Sequence, residues 1–105
     1  MADILYIVVP CYNEEEVLPE TSRRLRAKLE GLMAAGRISE QSRVLFVNDG
    51  SRDKTWNIIE MLHGECPLFS GIDLSRNRGH QNALLAGLMV SADRCDMAIS
   101  MDADL

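Results

Sequence analysis

A chain of 105 residues with 47% hydrophobic and 26% charged side chains can bury a small core and is too apolar to be wholly disordered. Eleven Lys and Arg against sixteen Asp and Glu give a net charge of −5, the wrong sign for a protein whose main work is neutralising phosphates, so no nucleic-acid partner is expected. The sequence has no run of about 18 apolar residues, its N-terminus lacks the basic region and cleavage site of a secretory signal, and its three scattered cysteines suit neither a disulfide framework nor paired zinc ligands; a cytoplasmic location with reduced thiols is expected.

Residues 4–9 form a short apolar run rich in β-branched side chains, and residues 44–47, 69–74 and 97–101 resemble it, which predicts four strands. Between the first two, Val17, Leu18, Thr21, Leu25, Leu29 and Leu32 recur at helical spacing; Asn13 with Glu16 three residues on reads as a capping box, and Gly36 as the stop. Trp56, Ile59 and Leu62 mark a second helix with Asp53 as its cap, and residues 80–92, apolar almost all round, predict a third helix packed on two sides. Strands alternating with helices imply an α/β fold, a parallel sheet with helices on both faces, and residues 1–105 read as one domain.

In such sheets ligands bind beyond the carboxyl ends of the strands, where the strand order reverses. The polar clusters fall there, and with strand order 3-2-1-4 the first and fourth strands flank the crevice. Asp102 and Asp104, two apart on extended chain, project to one side and can converge on a hard cation, or else mark a solvated turn. Asp49 is an acceptor for a base or ribose, or an Asx turn; Glu14 belongs to a site or only complements a helix dipole; Tyr12 stacks on a base or packs. Arg76, Arg78 and Gly79 precede the third helix, where they meet a phosphate or form a solvated loop. His80 is a ligand, a base or an ordinary helix-start residue, Cys11 lacks a partner base, and the run Arg23, Arg24, Arg26, Lys28 is a solvated face or an acidic-membrane contact.

Taken together, IVVPCYNEEEVL, VNDGSRDKT, LSRNRGHQNALLAGL and MDADL resemble, in order and spacing, the N-terminal nucleotide-binding half of family 2 glycosyltransferases, over essentially the whole chain. GHQNALLAGL pulls the likeness toward polyprenyl-phosphate glycosyltransferases. The resemblance implies a Rossmann-like, A-type glycosyltransferase fold, a nucleotide diphosphate sugar as donor with UDP preferred over GDP, and Mg²⁺ or Mn²⁺ bridging the diphosphate. It further implies inverting transfer to a polyprenyl phosphate. By position, Pro10, Tyr12 and Glu14 match nucleotide contacts, Val47 and Asp49 the residues that hold the base, Arg78 and Gly79 a loop near the phosphates, and Asp102 and Asp104 the metal and diphosphate motif. Family members run past DADL into regions holding the sugar and acceptor sites and often membrane helices. The chain is therefore expected to be an N-terminal portion of a membrane-associated parent, with little transferase activity alone and a tendency to self-associate through residues 97–101.

Three other classes of protein share parts of this pattern. A dinucleotide-dependent dehydrogenase needs G-x-G-x-x-G after the first strand, where PCYNEE stands. A phosphate-receiver domain needs acidic residues at the end of the first strand and an acceptor Asp after the third, where Pro10 and LSRN stand. An interaction module would treat the Asp pair as a turn.

Overall fold

Strand β1 (Leu5–Cys11) places alternate side chains on opposite faces of its sheet, so Ile7, Val9 and Cys11 enter one core while Val8 enters another. The computed structural model describes residues 2–104; Met1 and Leu105, the outer ends of the 1–105 unit, lie outside the described residues. Around β1 the elements run α1 (Leu18–Ala34), β2 (Arg43–Asp49), α2 (Thr55–Glu65), β3 (Phe69–Leu74), α3 (His80–Ser91) and β4 (Met97–Ser100). The four strands form one parallel sheet of order β3-β2-β1-β4, with Val8 opposite Leu45 on one side and Ser100 on the other. The predicted order is thus observed, and β1 and β4 flank the reversal point.

Helices α1 and α2 cover one face, closing a core of Leu18, Leu25, Leu29 and Ile59 against Val9, Val44 and Phe46. Helix α3 covers the other face, over Val8 and Val47. Its buried residues, Ala83, Gly87 and Ser91, recur every four positions, and a Cβ at Gly87 would run into the side chains of Val8 and Val47. The small stripe lets the helix lie close on the sheet. The far side is bare: Leu85 is 54% and Met89 69% exposed. Among the described residues α3 therefore packs on one side, not on two as its all-round apolarity suggests.

Four local features depart from or extend what the chain alone predicts. Helix α1 begins at Leu18, and Asn13 does not cap it. Asn13 sits at φ 53°, with its N–H donating to Ser51 Oγ at 2.9 Å and its Oδ1 accepting from the Arg52 N–H at 2.8 Å. The reason is Pro19, which a helix tolerates only in its first turn. Asp53 does not take the N-cap of α2, which is Lys54 and makes no side-chain cap; one residue earlier, its Oδ1 accepts the first helical N–H, that of Thr55, at 2.9 Å. Gly36, at φ 73°, closes α1 by donating its N–H to the Met33 carbonyl at 3.0 Å. The last ladder strand ends at Ser100, although the Met101 N–H still donates to the Val8 carbonyl at 3.0 Å. Among the described residues no helix is long and apolar enough to cross a membrane.

Candidate functional site

The carboxyl ends of the strands open onto a cleft of about 390 Å³. Pro10, Tyr12, Glu14, Asp49, Gly79, Asp102 and Asp104 line it, so seven of the nine residues matched to the family's site are brought together. The other two are placed differently. Val47 is fully buried beneath α3, touching no part of the cleft, because it occupies the sheet face opposite Val44 and Phe46. Arg78 is exposed in the loop after β3 and its side chain does not line the cleft.

Hydrogen bonds lace the loops around the cleft to one another. The loop after β1 is tied to the start of α2 and to the loop before it, where the Glu14 N–H donates to Thr55 Oγ1 at 2.8 Å and the Glu15 N–H to Asp53 Oδ2 at 3.3 Å. The loop after β2 is tied to the loop after β3 through Asp49, whose two oxygens accept from the N–H groups of Arg78 at 2.6 Å and Gly79 at 3.1 Å. Asn48 adds a cross-strand bond from its Nδ2 to Asp73 Oδ1 at 2.8 Å. Gly50 makes the junction possible: at φ 67° it has no Cβ, where one would strike the backbone of Arg76 and Asn77. The loop after β4 is held from the far side, with Ala103 buried against α1 between the exposed Asp102 and Asp104.

The cleft is acidic. Burial pushes the Glu14 carboxyl above its ordinary range, and the charges of Asp104, Asp53 and Asp102 push it further. Burial opposes ionisation of Asp53 more than any single contact favours it, but the hydroxyl and N–H of Thr55 together with the N–H groups of Glu15 and of Asp53 itself outweigh it and hold that carboxyl below its usual range. Cys11, donating its thiol to the Val9 carbonyl at 3.4 Å, is pushed up to about 12 by burial and by Glu14, so it is a neutral thiol rather than a nucleophile at neutral pH. Among the described residues no three or more His, Cys, Asp or Glu side chains form a preformed metal cage. Two carboxylates alone suit a cation that shares its shell with phosphates and water.

Asn77, His80 and Ala103 also line the cleft, and sequence reasoning gave them no firm role. For Asn77 and His80 the available signal was their position beside Arg78 and Gly79 at the start of α3. The basic run on α1 faces solvent and is largely paired within its own helix, Arg23 and Arg24 with Glu20 at 2.6 and 2.8 Å and Arg26 with Glu30 at 3.2 Å.

A parallel sheet of order 3-2-1-4 with a polar cleft over the reversal point is Rossmann-like, and its likeness to solved glycosyltransferase structures makes it the A-type glycosyltransferase fold. The chain belongs to glycosyl transferase family 2, whose profile matches residues 6–105. It is 49% identical over 102 residues to a Bacillus subtilis (strain 168) protein named as the uncharacterized glycosyltransferase YkoT, covering 97% of this chain and 30% of that one. It is 40% identical over 104 residues to the undecaprenyl-phosphate 4-deoxy-4-formamido-L-arabinose transferase of Shewanella sediminis, covering 98% of this chain and 29% of that one. This chain therefore spans about 30% of the length of these relatives. Among solved structures, the fold is similar to the mannosyltransferase PcManGT of Pyrobaculum calidifontis in complex with GDP-Man and Mn²⁺ (TM-score 0.74, 20% identity, 99% of this chain and 28% of that one). It is also similar to S. aureus TarS in complex with UDP (TM-score 0.66, 21% identity, 96% and 27%).

Proposed function

We propose that the chain is the nucleotide-diphosphate-binding portion of a metal-dependent, inverting glycosyltransferase that moves a sugar from a nucleotide diphosphate sugar to a polyprenyl phosphate. The observation that carries this reading is the placement of Asp102 and Asp104, two exposed carboxylates either side of buried Ala103, on a cleft shared with Tyr12, Glu14 and Asp49. The polyprenyl-phosphate transferase among the relatives, and the nucleotide-bound neighbours, support it.

The donor set is all oxygen, which suits Mg²⁺ or Mn²⁺ held by Asp102, Asp104 and the diphosphate of the donor. The repulsion that Asp104 and Asp102 exert on Glu14 is the electrostatic demand that such a cation answers. Bound there, the metal supplies charge neutralisation for a nucleoside diphosphate leaving group. Tyr12 offers a ring for the base to stack on, and Asp49 an acceptor beside it. Val47 acts by carrying Asn48 and Asp49 into place, and Arg78 lends a positive charge near the phosphates. The acceptor, a phosphate monoester with a second pKa of about 6, is already largely dianionic at pH 7, so the reaction asks little of a general base and rests on positioning. Attack of an acceptor oxygen on the anomeric carbon, with the nucleoside diphosphate leaving from the opposite face, inverts that carbon. UDP is the preferred donor nucleotide in this proposal, with GDP second. The reaction takes place at the cytoplasmic face of a membrane, within a longer parent protein, and the chain by itself self-associates.

The test is calorimetric titration of the chain with UDP and with GDP, in Mn²⁺ and in EDTA, repeated on Asp102→Ala. Mn²⁺-dependent binding that Asp102→Ala abolishes is expected. Binding of neither nucleotide, or binding indifferent to both Mn²⁺ and Asp102, would overturn the proposal.

A further inference from the structure

Thr21 lies in the first turn of α1 and is buried, and its N–H donates to the Val17 carbonyl at 3.0 Å. A helical threonine ordinarily returns its hydroxyl to a carbonyl three or four residues back in its own helix. Here the hydroxyl leaves the helix and donates to the Ala103 carbonyl at 2.5 Å, across 82 residues of sequence. Ala103 is 1% exposed, and its methyl joins the core that includes Leu18 and Leu25. The peptide between Asp102 and Asp104 is thus held at two points by one helix, through its methyl and through its carbonyl.

We propose that Thr21 is a positioning residue for the acidic pair, fixing the backbone between Asp102 and Asp104 so that both carboxylates are presented together to a divalent cation and a nucleoside diphosphate. This rests on the function proposed above. Thr21 itself touches neither cation nor nucleotide. A purely structural hydroxyl would affect stability alone, whereas a positioning hydroxyl governs the metal-dependent part of nucleotide affinity and leaves the metal-independent part untouched.

The experiment compares the unaltered chain with Thr21→Val, which keeps the shape and removes the donor, and Thr21→Ser, which keeps the donor. Each is titrated with UDP and with GDP in Mn²⁺ and in EDTA, and amide hydrogen exchange is followed across residues 101–104. Thr21→Val is expected to weaken Mn²⁺-dependent affinity about tenfold, the scale seen when the support of a metal ligand is removed. It should leave affinity in EDTA unchanged and speed exchange across the acidic loop, and Thr21→Ser should recover most of both effects. Unchanged Mn²⁺-dependent affinity in Thr21→Val, with or without faster exchange, would overturn the inference. Absence of Mn²⁺-dependent binding by the unaltered chain overturns the proposed function and this inference together, and so is distinct from a failure confined to Thr21.

Discussion

The carboxylate of Asp49 and the backbone N–H of Arg78 meet at 2.6 Å, and the second carboxylate oxygen takes the N–H of Gly79. One buried side chain at the end of β2 thereby sets the course of the loop that enters α3. Asp49→Asn turns one of these acceptors into a donor facing an N–H. The cost expected is about 1–3 kcal/mol, that of leaving a buried group unpaired. Urea denaturation of wild type and variant measures it, and an effect under 0.5 kcal/mol would show that the loop does not depend on this clamp.

Gly50 and Gly36 have similar backbone angles, φ 67° and 73°, but a Cβ at Gly36 meets nothing within 4 Å while one at Gly50 strikes the backbone of Arg76 and Asn77. Gly36→Ala is expected to cost about 1–2 kcal/mol, the strain of a left-handed residue. Gly50→Ala should cost at least about 1 kcal/mol more, because the clash is with backbone that cannot rotate away. Equal losses in the two variants would show that the loops after β2 and β3 are not in contact.

Cys11 carries a pH dependence whose sign follows from its burial. With its thiol raised from an ordinary 9.0 to about 12, the folded chain keeps a proton that the unfolded chain gives up above pH 9. Its contribution is constant below pH 9 and is lost as pH rises from 9 toward 12, by up to about 1.4 kcal/mol per pH unit. Stability curves of wild type and Cys11→Ala should therefore run parallel below pH 9 and converge above it, with wild type falling faster. Parallel curves throughout would sink this assignment.

Strand β4 pairs only with β1 among the described residues, and Met97 and Ile99 stand exposed on it, as do Leu85 and Met89 on α3. An unpaired edge next to apolar side chains favours association between chains. Light scattering is expected to show a mass that rises with concentration, and Ile99→Lys should lower it. A monomer at every concentration would remove the prediction.

Much of the architecture was legible from the chain alone, for identifiable reasons. The β-branched runs around Val8 and Val44 mark buried parallel strands, and the spacing of Leu18, Leu25 and Leu29 marks an amphipathic helix. Asp102 and Asp104 do line the cleft as their spacing at a strand end suggests, but the strand stops at Ser100 and the chain bends at Ala103, so extended backbone is not what brings them to one side. The start of α1 was misread because Asn13 and Glu16 imitate a capping box, although Pro19 already required a later start. The two-sided packing of α3 was misread because apolarity shows what a face can bury, not what lies against it. Val47 was assigned to the cleft by resemblance, but the alternation of β2 turns it toward α3. The clamps of Asp49 on Arg78 and of Thr21 on Ala103 were hidden, since each joins a side chain to the backbone of a loop distant in sequence, and a threonine on an apolar stripe looks like core filling.

The strand order also has a consequence for the growing chain. Because β4 adds beside β1 after β2 and β3 have built outward from the other side, β1 must wait with one open edge until the last described residues are made. Most of the cleft can assemble as α3 emerges, but the carbonyl that Thr21 grips arrives 82 residues after it. Contacts of such long range are the slowest to close. Among the described residues, the wall that bears the paired acids is thus made after the rest of the cleft.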